Sequence, residues 1–356
     1  MRRLFVFLFI FIFLGVAASA QQVTFRDITA QAGIHFTHNN AAFGKKYLPE
    51  TMGPGCAFID YDNDGWPDIL LVNGENWPGH PGAATTPKLY HNNHDGTFTD
   101  VTHKAGLDVP MFGLGAAIGD YDNDGFDDIF ITALGQSHLF HNNGNGTFTD
   151  VTKAAGLWGP NEFSTSAAWV DYDNDGKLDL VVARYMKWDF SDLWCGEPLE
   201  GHRSYCHPDL FQPETVLLYH NEDGRHFREV SKQAGLTMPG KGLGVAIADY
   251  DRDGYPDFFI ANDAMQEFLF HNKRNGTFEE VALESEIAVD GDGGTYSGMG
   301  VDFADYNNDG WPDAVVSTLA NQKYALYANS KDGSFTYSTY ATGYRWQSHG
   351  DRVQRE

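Results

Sequence analysis

Nine-residue runs of carboxylates recur five times along the chain. They are DYDNDGWPD (Asp60–Asp68), DYDNDGFDD (Asp120–Asp128), DYDNDGKLD (Asp171–Asp179), DYDRDGYPD (Asp249–Asp257) and DYNNDGWPD (Asp305–Asp313). Positions one, three, five and nine are acidic or Asn in every copy. The sets are Asp60, Asp62, Asp64, Asp68; Asp120, Asp122, Asp124, Asp128; Asp171, Asp173, Asp175, Asp179; Asp249, Asp251, Asp253, Asp257; and Asp305, Asn307, Asp309, Asp313. Position six is always Gly, which permits a sharp turn. Position seven (Trp66, Phe126, Lys177, Tyr255, Trp311) varies freely, as a ligand that offers only its backbone carbonyl can. Position eight varies as well and is assigned no ligand role. Alternating carboxylates, one carbonyl and a closing Asp make an oxygen cage for a hard cation. This is the logic of a calcium loop, with six to eight oxygens at roughly 2.3–2.6 Å, and we expect up to five Ca²⁺. Mg²⁺ fits less well because it keeps several waters in an octahedral shell. Transition metals favour His or Cys, and the loops themselves contain neither. Without a cation the clustered carboxylates repel, which destabilises the fold or forces protonation. Within the loops, only Lys177 and Arg252 are at hand to relieve that repulsion.

A second signature keeps step with the first: LYHNN at Leu89, LFHNN at Leu139, LYHNE at Leu218, LFHNK at Leu269 and a weaker LYANS at Leu326. Each is followed by a turn and an aromatic, as in DGTFTDVT and RNGTFEEVA. A repeat of this length means repeat architecture. Each unit reads as four short strands. GCAFI leads into the Asp loop, DILLVNG leaves it, and KLYHN and TFTDVT flank a hairpin turn. The fold class expected is all-β: a propeller of four-stranded antiparallel blades with five recognisable units over residues 21–340. An insertion spans residues 184–213. The segment Val23–Thr29 looks like the fourth strand of a blade whose other strands are missing. Residues 341–356 are too few to supply them, so the ring is expected to be open and the chain truncated or its last blade degenerate.

Residues 1–20 read as a cleaved export signal, with Arg2 and Arg3, an apolar run from Leu4 to Val16 and the site Ala18–Ala20. The run is shorter than the ~20 residues of a spanning helix. Periplasmic or extracellular localisation follows, with no membrane insertion after cleavage. Losing two arginines takes the net charge from −25 to −27. That acidity argues against nucleic acid as a partner. With 42% hydrophobic and 14% aromatic residues the chain is nonetheless able to build a core.

Several other residues could do chemistry. Cys195 and Cys206 read as a disulfide, with a zinc site that adds His202 and His207 as the alternative. Cys56, in an apolar stretch, reads as a buried, inert thiol. His91, His141, His220 and His271 read as structural. Asn145 and Asn275 match glycosylation acceptors, although turn chemistry explains them equally.

The DxDxDGxxD loops in repeated four-strand units resemble the FG-GAP/VCBS repeats of integrin-α-type propellers. DITAQAGIHFTHNN, KYLPETMGPGCAFIDYDNDGWPDILLVNG and CGEP…RSYCHPDLFQP resemble, more narrowly, bacterial members of the cartilage acidic protein family, over roughly residues 23–340. The resemblance implies an exported, calcium-binding propeller with a binding or adhesion-like role and no catalysis, whose ligand is an unknown protein or glycan. It carries ligand roles to the Asp positions above, with Asn307 departing from the all-Asp pattern. Relatives usually continue into an ASPIC/UnbV domain, which we do not find here. A different reading is a carbohydrate-binding protein or glycan-active enzyme. Trp77, Trp158, Trp188 and Trp194 would be its stacking surfaces, and Glu162, Glu197 and Glu214 the first carboxylates to mutate.

Overall fold

In the computed structural model each Asp-loop unit is one antiparallel sheet whose strands pair in chain order. The structure describes residues 24–341 except 81, 160, 161, 192, 198–200 and 321. The leader and the tail from residue 342 onward therefore lie outside the described residues. Blade one comprises Cys56–Ile59, Asp68–Leu71, Lys88–Asn92 and Phe98–Asp100. Blade two comprises Phe112–Gly119, Asp128–Gly135, His138–Asn142 and Phe148–Asp150. Blade three comprises Glu162–Val170, Asp179–Arg184, Leu217–Asn221 and Phe227–Glu229. Blade four comprises Gly242–Ala248, Asp257–Asn262, Phe268–Asn272 and Phe278–Glu280, and blade five Gly298–Ala304, Asp313–Thr318, Ala325–Asn329 and Phe335–Tyr337. Blades two and three also join where the end of the second strand of blade two pairs with the start of the first strand of blade three, Leu134 opposite Phe163. The α-helix present, Thr102–Ala105, is a single turn. The chain is an all-β propeller.

The second strand of each blade explains the stacking. Side chains alternate between faces, so the residue after position nine looks toward the preceding blade and the next one toward the following blade. Leu70 and Leu89 of blade one thus share a core with Ile129, Ile131 and Phe140 of blade two. Phe130 and Leu139 meet Leu180 and Val182, Val181 and Leu218 meet Phe258 and Ile260, and Phe259 and Leu269 meet Ala314 and Val316. Each fully buried Leu or Phe contributes about 1.5–3 kcal/mol. Among the described residues no such cluster joins blade five to blade one. Val315 is 40% exposed where Leu70 and Phe259 are fully buried, and Phe58 is 72% exposed.

Residues 24–28 carry no strand, and Phe25 is 96% exposed, so the fourth strand expected at Val23–Thr29 is not formed. No third strand lies beside it among the described residues to complete a ladder. The turn that follows does repeat a blade end: Phe98 N–H donates to Ala32 O at 2.8 Å, as Phe227 does to Ala155.

The insertion leaves blade three after Arg184. It holds a short hairpin (Gly196–Glu197 with His202–Arg203), a 3₁₀ turn at Pro208–Leu210 and a bond between Cys195 and Cys206. Those two sulfurs are thereby committed to each other, not to zinc. It lands on an aromatic cluster of the same face. Trp77, expected at the surface, is 4% exposed and stacks on Phe112 at 4.6 Å. Cys56, expected buried, is exposed. Its short strand lacks a neighbouring blade on one side, so the apolar stretch around it is only partly covered. No helix among the described residues is long and apolar enough to cross a membrane.

Candidate metal centres in the Asp loops

Each loop joins the first and second strands of a blade, so all five project from the same end of the strands. The Gly at position six takes a left-handed φ of +85° at Gly65 and +92° at Gly125, which a Cβ would disfavour. Position four is left-handed too, at Asn63, Asn123, Asn174, Arg252 and Asn308. The bend turns backbone amides onto the first carboxylate. Asp60 accepts from Asp64 N and Gly65 N at 3.0 Å each, and Asp120 accepts from Asp124 N and Gly125 N at 3.0 and 2.8 Å. The position-five Asp accepts from the position-seven amide, as Asp64 does from Trp66 at 2.8 Å.

The position-nine Asp is the buried member of the set. Asp68, Asp128 and Asp179 show no exposed surface. One oxygen accepts from the Tyr at position two (Tyr121 N to Asp128, 3.2 Å), the other from a third-strand amide (Asn142 N to Asp128, 2.7 Å). Burial, with repulsion from Asp122, Asp173 and Asp251, pushes Asp128, Asp179 and Asp257 up to about 8 in the metal-free chain, although their backbone donors oppose the rise. Burial also raises Asp122 and Asp251.

Ligand-type atoms of Asp60, Asp62 and Asp68 lie within 4.8 Å of one another. Asp62 Oδ1 and Asp122 Oδ1 are buried and hydrogen-bonded to nothing. A buried carboxylate oxygen without a donor is costly unless a cation meets it, so these residues fit a hard cation. Position eight offers its carbonyl to protein: Pro67 O accepts from Asn92 Nδ2 at 3.0 Å and Asp127 O from Asn142 Nδ2 at 3.1 Å.

Two expectations need correction. The loops do have histidine against them, because the third strand brings it there. Nδ1 of His91, His141, His220 and His271 lies 3.1–3.3 Å from the position-nine Asp and 3.5–3.7 Å from the position-three Asp. In blade five Ala328 stands in that place. Charge relief is also wider than Lys177 and Arg252. The position-five Asp pairs with His94 (2.6 Å), Lys177 (2.5 Å), Arg274 (2.5 Å) and Lys331 (3.2 Å) in loops one, three, four and five. Arg252 instead lies over the Trp311 ring at 4.7 Å. Asp124 in loop two has no cationic side chain in ion-pair reach among the described residues, and Asp127 adds a further carboxylate near Asp120.

The residue missed in the sequence is the Asn that follows each of these histidines. Asn142, Asn221, Asn272 and Asn329 donate through Nδ2 to the carbonyls of Tyr61, Tyr121, Tyr172 and Tyr250, at 2.7–2.9 Å, across to the loop of the preceding blade. The same Tyr rings pack on Phe148, Phe227, Phe278 and Phe335 of the next blade. In return Asn63, Asn123 and Asn174 donate forward to Gly125, Gly176 and Gly254 carbonyls. Its signal was within reach: blade five loses the His at Ala328 yet keeps Asn329.

The remaining candidates separate. Asn145 and Asn275 form turns, each side chain accepting from the Thr two residues on. Trp158 and Trp194 are exposed, and Glu197 lies on the insertion hairpin. Glu162 and Glu214 both meet Arg184, at 3.0 and 3.1 Å, at the end of the strands opposite the Asp loops.

Comparison with known proteins agrees with this geometry. Residues 60–131, 120–182, 207–260 and 249–316 each match the FG-GAP-like repeat. Cartilage acidic protein 1 of Mus musculus is 28% identical over 162 residues, covering 46% of this chain and 22% of that protein. Its Homo sapiens counterpart is 33% identical over 100 residues, covering 28% of this chain and 14% of that protein. The matched stretches thus span under a quarter of either relative. Among solved structures, an Agrocybe aegerita lectin described as recognising non-reducing terminal N-acetylglucosamine aligns with a TM-score of 0.44 and 18% identity. That alignment covers 80% of this chain and 65% of the lectin. By its repeats, this chain belongs to the FG-GAP-like repeat family and is similar to cartilage acidic protein 1.

Proposed function

We propose that the chain is an exported, calcium-binding propeller that acts by recognition, as an adhesion-type or scaffold module, and not by catalysis. The observation that carries the reading is an Asp loop repeated five times at one end of the blades, with buried oxygens of Asp62 and Asp122 left without a donor. Asp60, Asp62, Asp64 and Asp68 would hold the ion in loop one with the carbonyl of Trp66, and the corresponding residues would do so in the other loops. Bound Ca²⁺ would supply the positive charge that makes the clustered carboxylates compatible with burial. The chain's own residues do the positioning. The Gly bend turns amides onto position one, and the third-strand Asn fixes position nine and ties each loop to the blade before it. The leader-like residues 1–20 and the Cys195–Cys206 bond support export. Equilibrium dialysis of chelator-stripped protein with elemental analysis tests the metal reading. We expect up to five Ca²⁺ per chain, with loss of about one on Asp122→Asn plus Asp128→Asn. No retained calcium would overturn it.

The second reading, glycan binding, is favoured by one observation. Glu162, Glu214 and Trp188 come together at one cavity, far from one another as they are in sequence.

A further inference from the structure

The cavity lies on the face opposite the Asp loops, where blades two and three meet under the start of the insertion. It encloses about 290 Å³. Its floor is apolar, from Leu134, Phe163 and Met186, and Trp188 forms a wall. The indole is held in place by Tyr47 at 5.7 Å, Trp77 at 5.7 Å and Phe190 at 4.9 Å. Trp77 is itself fixed, donating to Glu50 Oε1 at 3.3 Å.

The polar wall is equally ordered. Arg184 donates through Nε to Thr215 O at 2.6 Å and through Nη2 to Thr215 Oγ1 at 2.8 Å. Its Nη1 reaches Glu162 Oε1 at 3.0 Å and Glu214 Oε2 at 3.1 Å. The guanidinium is thereby committed to protein. Each glutamate keeps a second oxygen: Glu162 Oε2 has no donor among the described residues, and Glu214 Oε1 has only Lys187 Nζ at 3.9 Å. Lys187 is 71% exposed at the rim.

We propose that this cavity binds one saccharide unit of a glycan. The proposal rests on the recognition-module reading and deepens it. Two carboxylates, a guanidinium and an ammonium sum to zero charge, so the cavity has no net attraction for an anion or a cation. An anion would meet two carboxylates with the arginine already engaged. A neutral polyol gains from both sides: its hydroxyls donate to the free oxygens of Glu162 and Glu214, and its C–H face packs on Trp188 and the apolar floor. An apolar cavity with few convergent polar groups is the usual form of a small-ligand site, and this volume suits about one sugar ring with the rest of the glycan outside. The ordered indole and the clamped carboxylates mean that little freedom is lost on binding. The insertion of blade three supplies Met186, Lys187 and Trp188 to the cavity wall.

The test is saturation-transfer NMR of the full chain, in calcium, against a panel of methyl pyranosides that includes neutral, N-acetylated and uronic sugars. We expect transfer to ring protons of a neutral or N-acetylated member, and affinity about tenfold weaker in Trp188→Ala and in Glu214→Gln. Trp188→Phe keeps a ring in the aromatic cluster while removing part of the face a sugar would pack on. It decides the matter if the other variants fail to fold, and it too should weaken binding. No transfer from any panel member, transfer to uronic sugars alone, or undiminished transfer in the folded variants overturns the proposal. Calcium measured in the same samples keeps the readings apart: a chain that holds calcium and binds no sugar defeats this assignment alone.

Discussion

Asp124 differs from Asp175, Asp253 and Asp309 in having no lysine or arginine beside it among the described residues, and from Asp64 in having no histidine paired to it, while Asp127 adds a carboxylate to the same loop. Loop two therefore carries the least compensated repulsion and should bind calcium most tightly. Asp124→Asn should cost about tenfold in its affinity, about 1.4 kcal/mol. Asp175→Asn, in the loop that Lys177 already neutralises in part, should cost less. Titration calorimetry on the two variants gives the order, and equal losses would contradict it. The third-strand Asn makes a second prediction. Asn221 Nδ2 donates to Tyr121 O and Leu178 O, and its Oδ1 accepts from Gly224 N at 2.7 Å, the first and last of these buried. Asn221→Ala should cost about 3 kcal/mol by leaving those groups unpaired, read as a lower urea midpoint. The exposed turn residue Asn143 of blade two, changed to Ala, should cost under about 0.5 kcal/mol. The Asp ligands were legible because their spacing is local. The histidines of blades one to four and the asparagines reach the loops from the third strand, so their place beside the carboxylates shows only once the strands pair.

At the scale of the element, a loop and its strand pair form one titrating unit. Asp128, Asp179 and Asp257 are pushed up to about 8 by burial and by neighbouring carboxylates. The unfolded chain has lost these protons above about pH 4, so between pH 4 and 8 the metal-free native state holds more protons than the unfolded one. Its stability must fall as pH rises through that window. Thermal melts in chelator should show this decline, and calcium should flatten it because the ion stabilises the ionised carboxylates. A metal-free melting temperature that rises from pH 5 to 8 would be inconsistent with buried, repelling loops. The four-strand blades were legible because alternation and hairpin turns announce them. The insertion was legible as an insertion but its landing place was not, because Trp77 packs against Trp188 and Phe190, more than a hundred residues away. Its Cys195–Cys206 bond closes a short loop, whose constraint on the unfolded chain is worth about 3 kcal/mol in the entropic account. Reduction should loosen the insertion and alter Trp194 fluorescence while far-UV circular dichroism holds.

For the whole molecule, the blades are joined by one interface made four times: an apolar cluster, a Tyr ring on a Phe ring, and an Asn donating to the Tyr carbonyl beside the metal loop. Each Asp loop is therefore part of the joint between neighbours, and calcium should be felt across the propeller instead of at single turns. Tyr306 is 42% exposed and has no such Phe or Asn partner among the described residues. The repeat told of five blades. Which faces stay open depends on what each blade meets, which the repeat does not record. The most direct measurement is the melting temperature of the chelator-stripped chain with and without calcium. Binding to the native state alone stabilises by about 2.7 kcal/mol per site at a hundredfold excess over Kd. We predict a saturable rise of several degrees that magnesium at the same concentration does not reproduce. An unchanged melting temperature would contradict the claim that calcium holds the blades together.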